Sequence, residues 1–425
     1  MKRFILYITA LAVMIAMAAC SSFKDADDAS DVQYMSVDLK TTSALTTLST
    51  LDGLTVKFDN YTDDIHYTRT MQGTEMNVTG IIPGIYTVTI SGDVTDANGV
   101  EYYINGGVVN QPIYPGSATV NISVNGLKIS PLIFKEIYYA GSKTATKANY
   151  FRDQFYEIYN NSTKTLYLDG IYFSDIYPTI ATTTLPTWPT EDGSNYCYGS
   201  RVWKFPGTGK QYPLAPGESC VISQFAANHQ LAIYNPNSPV DCSSSEFEFN
   251  MNNKNFPDQP AVDMTHVFYN GKAAMGTVPQ YLTSVMGGAY VIFQVPEGET
   301  WDPVNDPTMR TKDLGKSSAT LYAKIPIKYV LDAVECGQNA TMITGKRLPQ
   351  VLDAGMTYVG STYCGLGVAR KQATDDSGNV LVREDGTLMF QDTNNSSDDF
   401  ERGVVPQLRR YGTKMPSWNH TLLGN

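Results

Sequence analysis

Phe155-Tyr156-Glu157-Ile158-Tyr159-Asn160-Asn161-Ser162 and, shortly after it, Leu166-Tyr167-Leu168-Asp169-Gly170-Ile171-Tyr172-Phe173-Ser174-Asp175 are two short runs rich in Tyr, Phe and Ile. Such residues fit a pleated, half-buried surface, and the turn formers Asn160-Asn161-Ser162 and Asp169-Gly170 punctuate them, so the spacing predicts strands. Working outward, Leu132-Ile133-Phe134-Lys135-Glu136-Ile137-Tyr138-Tyr139 reads as a strand upstream, and Tyr329-Val330-Leu331-Asp332-Ala333-Val334-Glu335 as one downstream. Between them, Leu214-Ala215-Pro216-Gly217-Glu218-Ser219-Cys220-Val221-Ile222 predicts a tight turn, because Pro216 presets φ and Gly217 supplies a positive φ. In Asp392-Thr393-Asn394-Asn395-Ser396-Ser397-Asp398-Asp399-Phe400 the short polar side chains bond nearby backbone and hold an irregular closing element. Glu157 and Asp169 are expected to face water or a neighbouring loop. Helix is sparse: 226–232 and 348–354 are the short candidates, with Pro349 acceptable in a first turn.

A separate set of strand signals precedes these. Leu54, Val56 and Phe58 alternate with Thr55 and Lys57. Ile82-Pro83-Gly84 turns into Ile85-Tyr86-Thr87-Val88-Thr89-Ile90, and Glu101 to Ile104 and Ala118 to Val124 follow. Period-two alternation between turn signals predicts a small β-sandwich over 34–128. Charged residues are only 17% and aromatics 11%, with 28 Tyr, which agrees with an all-β chain.

The ordered phrases between Phe134 and Phe400 resemble the lamin-tail domain, an immunoglobulin-like sandwich with an opening "EI" strand, "EIYN", "L-x-G", "L-x-PG-E", a "D-A-V-E"-like strand and a closing "DTNNS-x-DF". The phrase from Gly80 to Ile90 resembles transthyretin-like and immunoglobulin-like modules of secreted bacterial proteins. The whole chain resembles an uncharacterised lipoprotein family of Bacteroides-type bacteria. The resemblance implies a larger lamin-tail-like sandwich over 131–403, followed by a C-terminal tail over 404–425. Long insertions, 176–212 and 235–285, depart from a compact lamin tail, and loops of that length are usually functional or disordered.

The N-terminus predicts export. Lys2 and Arg3 precede an uncharged, mostly apolar stretch from Phe4 to Ala19 that ends at Cys20. It reads as a signal peptide over 1–19, since a spanning helix needs about 20 apolar residues. Met17-Ala18-Ala19-Cys20 resembles a bacterial lipobox, which implies that Cys20 is lipidated and becomes the mature N-terminus. The acidic stretch 20–33 is expected to be a disordered tether. Its Asp25, Asp27, Asp28 and Asp31 resemble a surface-export tag. Together these imply lipid anchoring in the outer membrane, exposed at the cell surface. Losing Lys2 and Arg3 but no acid takes the formal charge from −11 to −13, and with no basic run this argues against nucleic acid. Cys197, Cys220, Cys242, Cys336 and Cys364 remain, an odd number without C-x-x-C, so disulfides and buried free thiols both stay open.

No catalytic motif emerges. His66, His229, His266 and His420 show no paired spacing, and Pro206-Gly207-Thr208-Gly209-Lys210 lacks phosphate-loop spacing and reads as a turn. The 392–399 segment offers oxygen ligands at alternate positions, but Ser397 and Gly403 stand where a calcium loop needs Gly and Glu. The expectation is therefore a chain that is not an enzyme and holds no cofactor or metal. Trp188, Tyr196, Tyr198 and Trp203, within the first insertion, form the candidate binding surface, because aromatic loop residues offer large contact area at low entropy cost. The expected role is binding or assembly with a protein partner of the outer membrane or cell surface, as an accessory to a transporter or surface complex. The alternative is glycan binding; an envelope hydrolase ranks last.

Overall fold

The computed structural model describes residues 33–43, 51–95, 101–116, 119–127, 132–162, 164–274, 280–374, 378, 380, 382 and 386–418. Cys20, the acidic stretch before residue 33 and His420 lie outside them.

The chain is all-β. Seven strands, β1 (Met35–Ser43), β2 (Thr55–Asn60), β3 (Ile65–Thr70), β4 (Glu75–Ile81), β5 (Gly84–Thr95), β6 (Glu101–Ile113) and β7 (Thr119–Leu127), form one sheet in the order β3-β2-β5-β6-β7-β1-β4. Alternation sets its register. Val56, Phe58, Val88 and Ile90 enter one aliphatic core with Val37, Leu39, Val120 and Ile122. The sheet curls until its two edge strands meet. Arg69 on β3 donates to the Thr79 carbonyl on β4 (3.3 Å), and the Tyr67 hydroxyl accepts from the Ile82 amide (3.2 Å), which covers part of two otherwise open edges.

Beyond residue 132 two larger sheets face each other. In one, β8 (Leu132–Tyr138) lies between Phe155–Asn160 and Gly367–Arg370. Ser219–Ser223 extends it on one side and Phe400–Val404 closes the other. In the second, Tyr196–Lys204 lies between Tyr172–Ile176 and Tyr322–Pro326, and Ala289–Phe293 pairs with Val330–Gly337. Phe134, Tyr156, Phe173, Trp203, Phe249 and Tyr290 interlock between the sheets. Both outer faces are covered as well. Ile176, Val291, Ile325 and Leu352 pack behind the second sheet, and Tyr138, Phe155, Val221 and Cys242 behind the first. Strands buried on both faces lose the in–out alternation; β8 is buried at every position, and even its Lys135 and Glu136 are covered.

Several local expectations change. The insertion 176–212 supplies the nine-residue strand Tyr196–Lys204, and 235–285 supplies Thr265–Tyr269 beside it. Neither 226–232 nor 348–354 is helical; both are turns, and Leu352 and Asp353 donate to the Pro349 carbonyl without continuing a ladder. Glu157 does not face water: it is buried against Lys135 at 3.0 Å. The turn at Gly217 adopts φ 78°, as Pro216-Gly217 requires. The five cysteines are free, four of them buried. The segment read as a C-terminal tail is, over its described part, laid across the first large sheet. Its Arg410 pairs with Glu136 (2.8 Å), the Arg409 amide donates to Glu157 (3.1 Å), and Trp418 donates to the Pro213 carbonyl (2.8 Å).

Candidate functional site

The segment leading into strand Tyr196–Lys204 presents Trp188. Buried Asp313 anchors it by accepting the amides of Thr187 and Gly315 (both 2.9 Å), and Leu314 donates to the Thr187 carbonyl (2.8 Å). The half-buried Trp188 ring stacks on Tyr198 at 3.8 Å and 12°, with Tyr177 and Tyr322 edge-on at 6.1 and 5.6 Å. One face of Trp188 is therefore spent on Tyr198. In the same loop pair Leu185 is 47% exposed and Leu314 51%, so apolar side chains sit at the surface of loops held by buried Asp313.

The four aromatics expected on one surface separate. Tyr198 is buried under Trp188, its hydroxyl donating to Asp192 (3.0 Å), and burial raises its pKa. Tyr196 is half-buried and lines a neighbouring groove. Trp203 is no surface residue. It is 1% exposed and packs edge-on against Phe249 (5.0 Å), His266 (4.9 Å) and Tyr281 (5.7 Å). The reason is that residue 203 belongs to a central strand, not a loop, and its ring enters the space between the sheets.

The groove holds about 490 Å³ and lies between strand Tyr196–Lys204, strand Tyr322–Pro326 and the loop around 299–310. Trp301 forms part of its floor and donates its indole N–H to the Lys324 carbonyl (2.8 Å). The Lys324 ammonium sits 4.5 Å over the Tyr196 ring and pairs with buried Asp192. On the opposite rim Lys328 pairs with Glu299 (2.9 Å), which also accepts the Tyr329 hydroxyl; that hydrogen bond, then Lys328, holds the Glu299 carboxyl below its ordinary pKa. Sequence reasoning reached Tyr196 but did not bring Trp301 and Tyr329 to the same surface, because the signal lay in three segments that only the fold brings together.

Other chemistry-bearing residues are engaged elsewhere. His66 pairs with Asp59 (2.8 Å) at the edge of the first sheet. His229 is buried between the Tyr150 hydroxyl and the Phe225 carbonyl, and His266 bonds the Ala273 carbonyl. The glycine-rich turn at 206–210 wraps a carboxylate of its own chain. Asp169 accepts the amides of Gly209, Gln211 and Tyr212 (2.8–3.0 Å), which outweigh its burial and hold its pKa below the usual value. In the closing segment Asp392 and Asp399 face Arg370, Asp398 pairs with Lys57, and Asn395 caps the short helix Ser396–Asp399. The carboxylates that sequence compared with a calcium loop are thus directed at protein cations. Glu248, Asp258 and Asp263 converge within 4.8 Å and are the described carboxylates best placed to hold a cation. They are already engaged: Glu248 accepts the amides of Ala226 and Gln259, and Asn250 bridges the other two. Burial pushes the Glu248 carboxyl up to about 7, so a proton meets part of its need.

No curated protein matches the chain. A crystal structure of a DUF4876 family protein from Bacteroides thetaiotaomicron is 65% identical, covers 91% of this chain and all of that one, and superposes with a TM-score of 0.69. The model of the family described as "Protein of unknown function (DUF4876)" matches residues 215–407, which begin beyond Trp188 and Tyr196 and take in Trp301 and Tyr329. On that identity and coverage, the chain belongs to the DUF4876 family.

Proposed function

We propose that this protein is a noncatalytic, lipid-anchored component of the bacterial envelope that docks a protein partner through the surface around Trp188. The observation that carries the reading is the half-exposed Trp188. Its back is stacked on Tyr198, and Leu185 and Leu314 of the same loop pair stand exposed. A rigid aromatic anchor beside exposed aliphatic side chains is the composition of an interface centre, and the buried Asp313 bonds reduce the ordering cost of engagement. Anchoring rests on Cys20 and the apolar stretch before it. A lamin-tail-like ancestry for the larger sandwich is supported by its opening and "EIYN" phrases, which stand as neighbouring strands of one sheet, and by the closing phrase, which leads into the edge strand of that sheet. In this reading the sandwich is a scaffold and the docking residues lie on the loops that depart from it.

The test uses the full chain in intact cells, with a photo-crosslinking side chain at Leu185. A discrete crosslinked species is expected from the wild type and should fall at least about tenfold in Trp188→Ala, the scale of a hot-spot loss of about 1.4 kcal/mol or more. Thermal stability should stay close to wild type. In parallel, Cys20→Ala should leave the membrane fraction. Crosslinking that is unchanged in Trp188→Ala defeats the docking surface, and a Cys20→Ala protein that stays acylated defeats the anchor.

A further inference from the structure

The groove beside Trp188 has a different chemistry. Trp301, Tyr196 and Tyr329 give it ring surface. The two cations that line it are each paired, Lys324 with the buried Asp192 and Lys328 with Glu299, so the groove offers fixed donors but no unpaired charge. Exposed Asn195 and Thr308 add a carboxamide and a hydroxyl. One wall is preorganised. In the loop behind Met309, Asp302 accepts the amides of Val304 (3.1 Å) and Asn305 (3.0 Å), Asp306 accepts that of Thr308 (2.8 Å), and Arg310 donates to the Pro303 carbonyl (2.8 Å). A solvent-facing loop held by so many side-chain bonds keeps its shape before a ligand arrives. The cavity volume lies within the roughly 300–1,000 Å³ of small-ligand clefts.

We propose that this groove binds an uncharged oligosaccharide. A sugar ring has apolar C–H faces that pack on aromatic rings and hydroxyls that both donate and accept. The groove offers the matching pair, with ring surface at Tyr196 and Tyr329 and polar groups from the Lys324 and Lys328 ammoniums, the Asn195 carboxamide and the Thr308 hydroxyl. An anionic ligand would have to compete with Asp192 and Glu299 for the two lysines, and a cation would meet those lysines. A neutral polyol meets neither cost. The inference does not rest on the Trp188 surface, and the two are separable by mutation.

Isothermal titration calorimetry of the full chain with linear neutral oligosaccharides of glucose, mannose, galactose and xylose tests it. At least one series is expected to give saturable heat that raising the salt from about 0.05 to 0.5 M leaves within about twofold, because no net charge is neutralised. Tyr196→Ala should weaken binding about tenfold or more. Asn195→Ala, an exposed position with little folding risk, should weaken it severalfold. The proposal falls if none of the four series binds. It falls equally if only uronic or sulfated sugars bind with steep salt dependence, or if folded Tyr196→Ala and Asn195→Ala bind like wild type.

Discussion

Strand Thr55–Asn60 alternates half-buried and buried positions, whereas Phe155–Asn160 is buried at every position. The first belongs to a curled sheet around one aliphatic core, where the buried polar residues Asn60, Thr87 and Thr89 are all uncharged. The second belongs to a sandwich covered on both outer faces, which buries Lys135, Glu136, Glu157, Glu246, Asp332, Glu335 and Arg370. A sheet with one covered face can leave its charges in water. Once the second face is covered, charges on that face need partners from whatever covers it. Arg370 shows the result: its guanidinium meets Asp332 (2.7 Å), Asp392 (3.0 Å) and Asp399 (3.7 Å) and donates to the Phe134 carbonyl (2.6 Å), tying the opening strand to the closing segment.

The largest expected effect breaks that tie. Arg370→Met strands three buried carboxylates and should lower stability by about 3–5 kcal/mol, read as a shift of the denaturation midpoint. Burial raises the pKa of Asp332 and Asp399 even beside the guanidinium, so the stranded carboxyls take up protons more readily as pH falls. The loss should therefore be smaller at pH 5 than at pH 8. A midpoint within about 0.5 kcal/mol of wild type would show that the network is not structural.

A second measurement asks whether buried titratable groups set the acid limit of the sandwich. Burial depresses the His229 pKa from 6.5 to about 4. Its neutral ring accepts from Tyr150 (2.7 Å) and donates to Phe225 (2.9 Å). As pH falls below 6.5 the unfolded chain takes the proton first, so stability is full above 6.5 and is lost down to about pH 4, by at most about 3 kcal/mol. Asp153 and Glu248, raised by burial to about 6 and 7, titrate in the opposite sense across part of this range, so the comparison with a variant isolates the histidine. His229→Gln should lose stability less steeply than wild type between pH 6.5 and 4. Parallel curves would remove His229 from the account.

The smallest effect lies where the two regions meet. Lys57 on β2 pairs with Asp398 of the closing segment, both partly exposed. Lys57→Met should cost no more than about 1 kcal/mol, and less at high salt. A loss above about 2 kcal/mol would mean that the two regions unfold as one unit through this contact.

Strand identity was legible wherever a single physical rule governed it. Alternation at Val56 and Phe58, the apolar ends of β8, and Pro216-Gly217 at the turn each act locally. The fate of Glu157 was not legible, because its partner Lys135 is on another strand and its cover comes from Arg409 and Thr413, far along the chain. Trp203 and Trp188 sit in similar Pro- and Gly-rich sequence, yet one is core and the other half-exposed. What separates them is pairing with Phe173 and His266 across two strands, which no local pattern reports. The groove was half legible: Tyr196 was named, but its neighbours arrive from residues 301 and 329.

The C-terminal strap has a kinetic consequence. Glu136 precedes its partner Arg410 by 274 residues. At about 5–20 residues per second, the cation that neutralises this buried carboxylate is synthesised roughly 14–55 s after the strand that needs it. Through that interval Glu136 lacks the arginine that pairs with it, and the sheet cannot take its final form. The last residues to be made therefore set when the first large sheet can be completed.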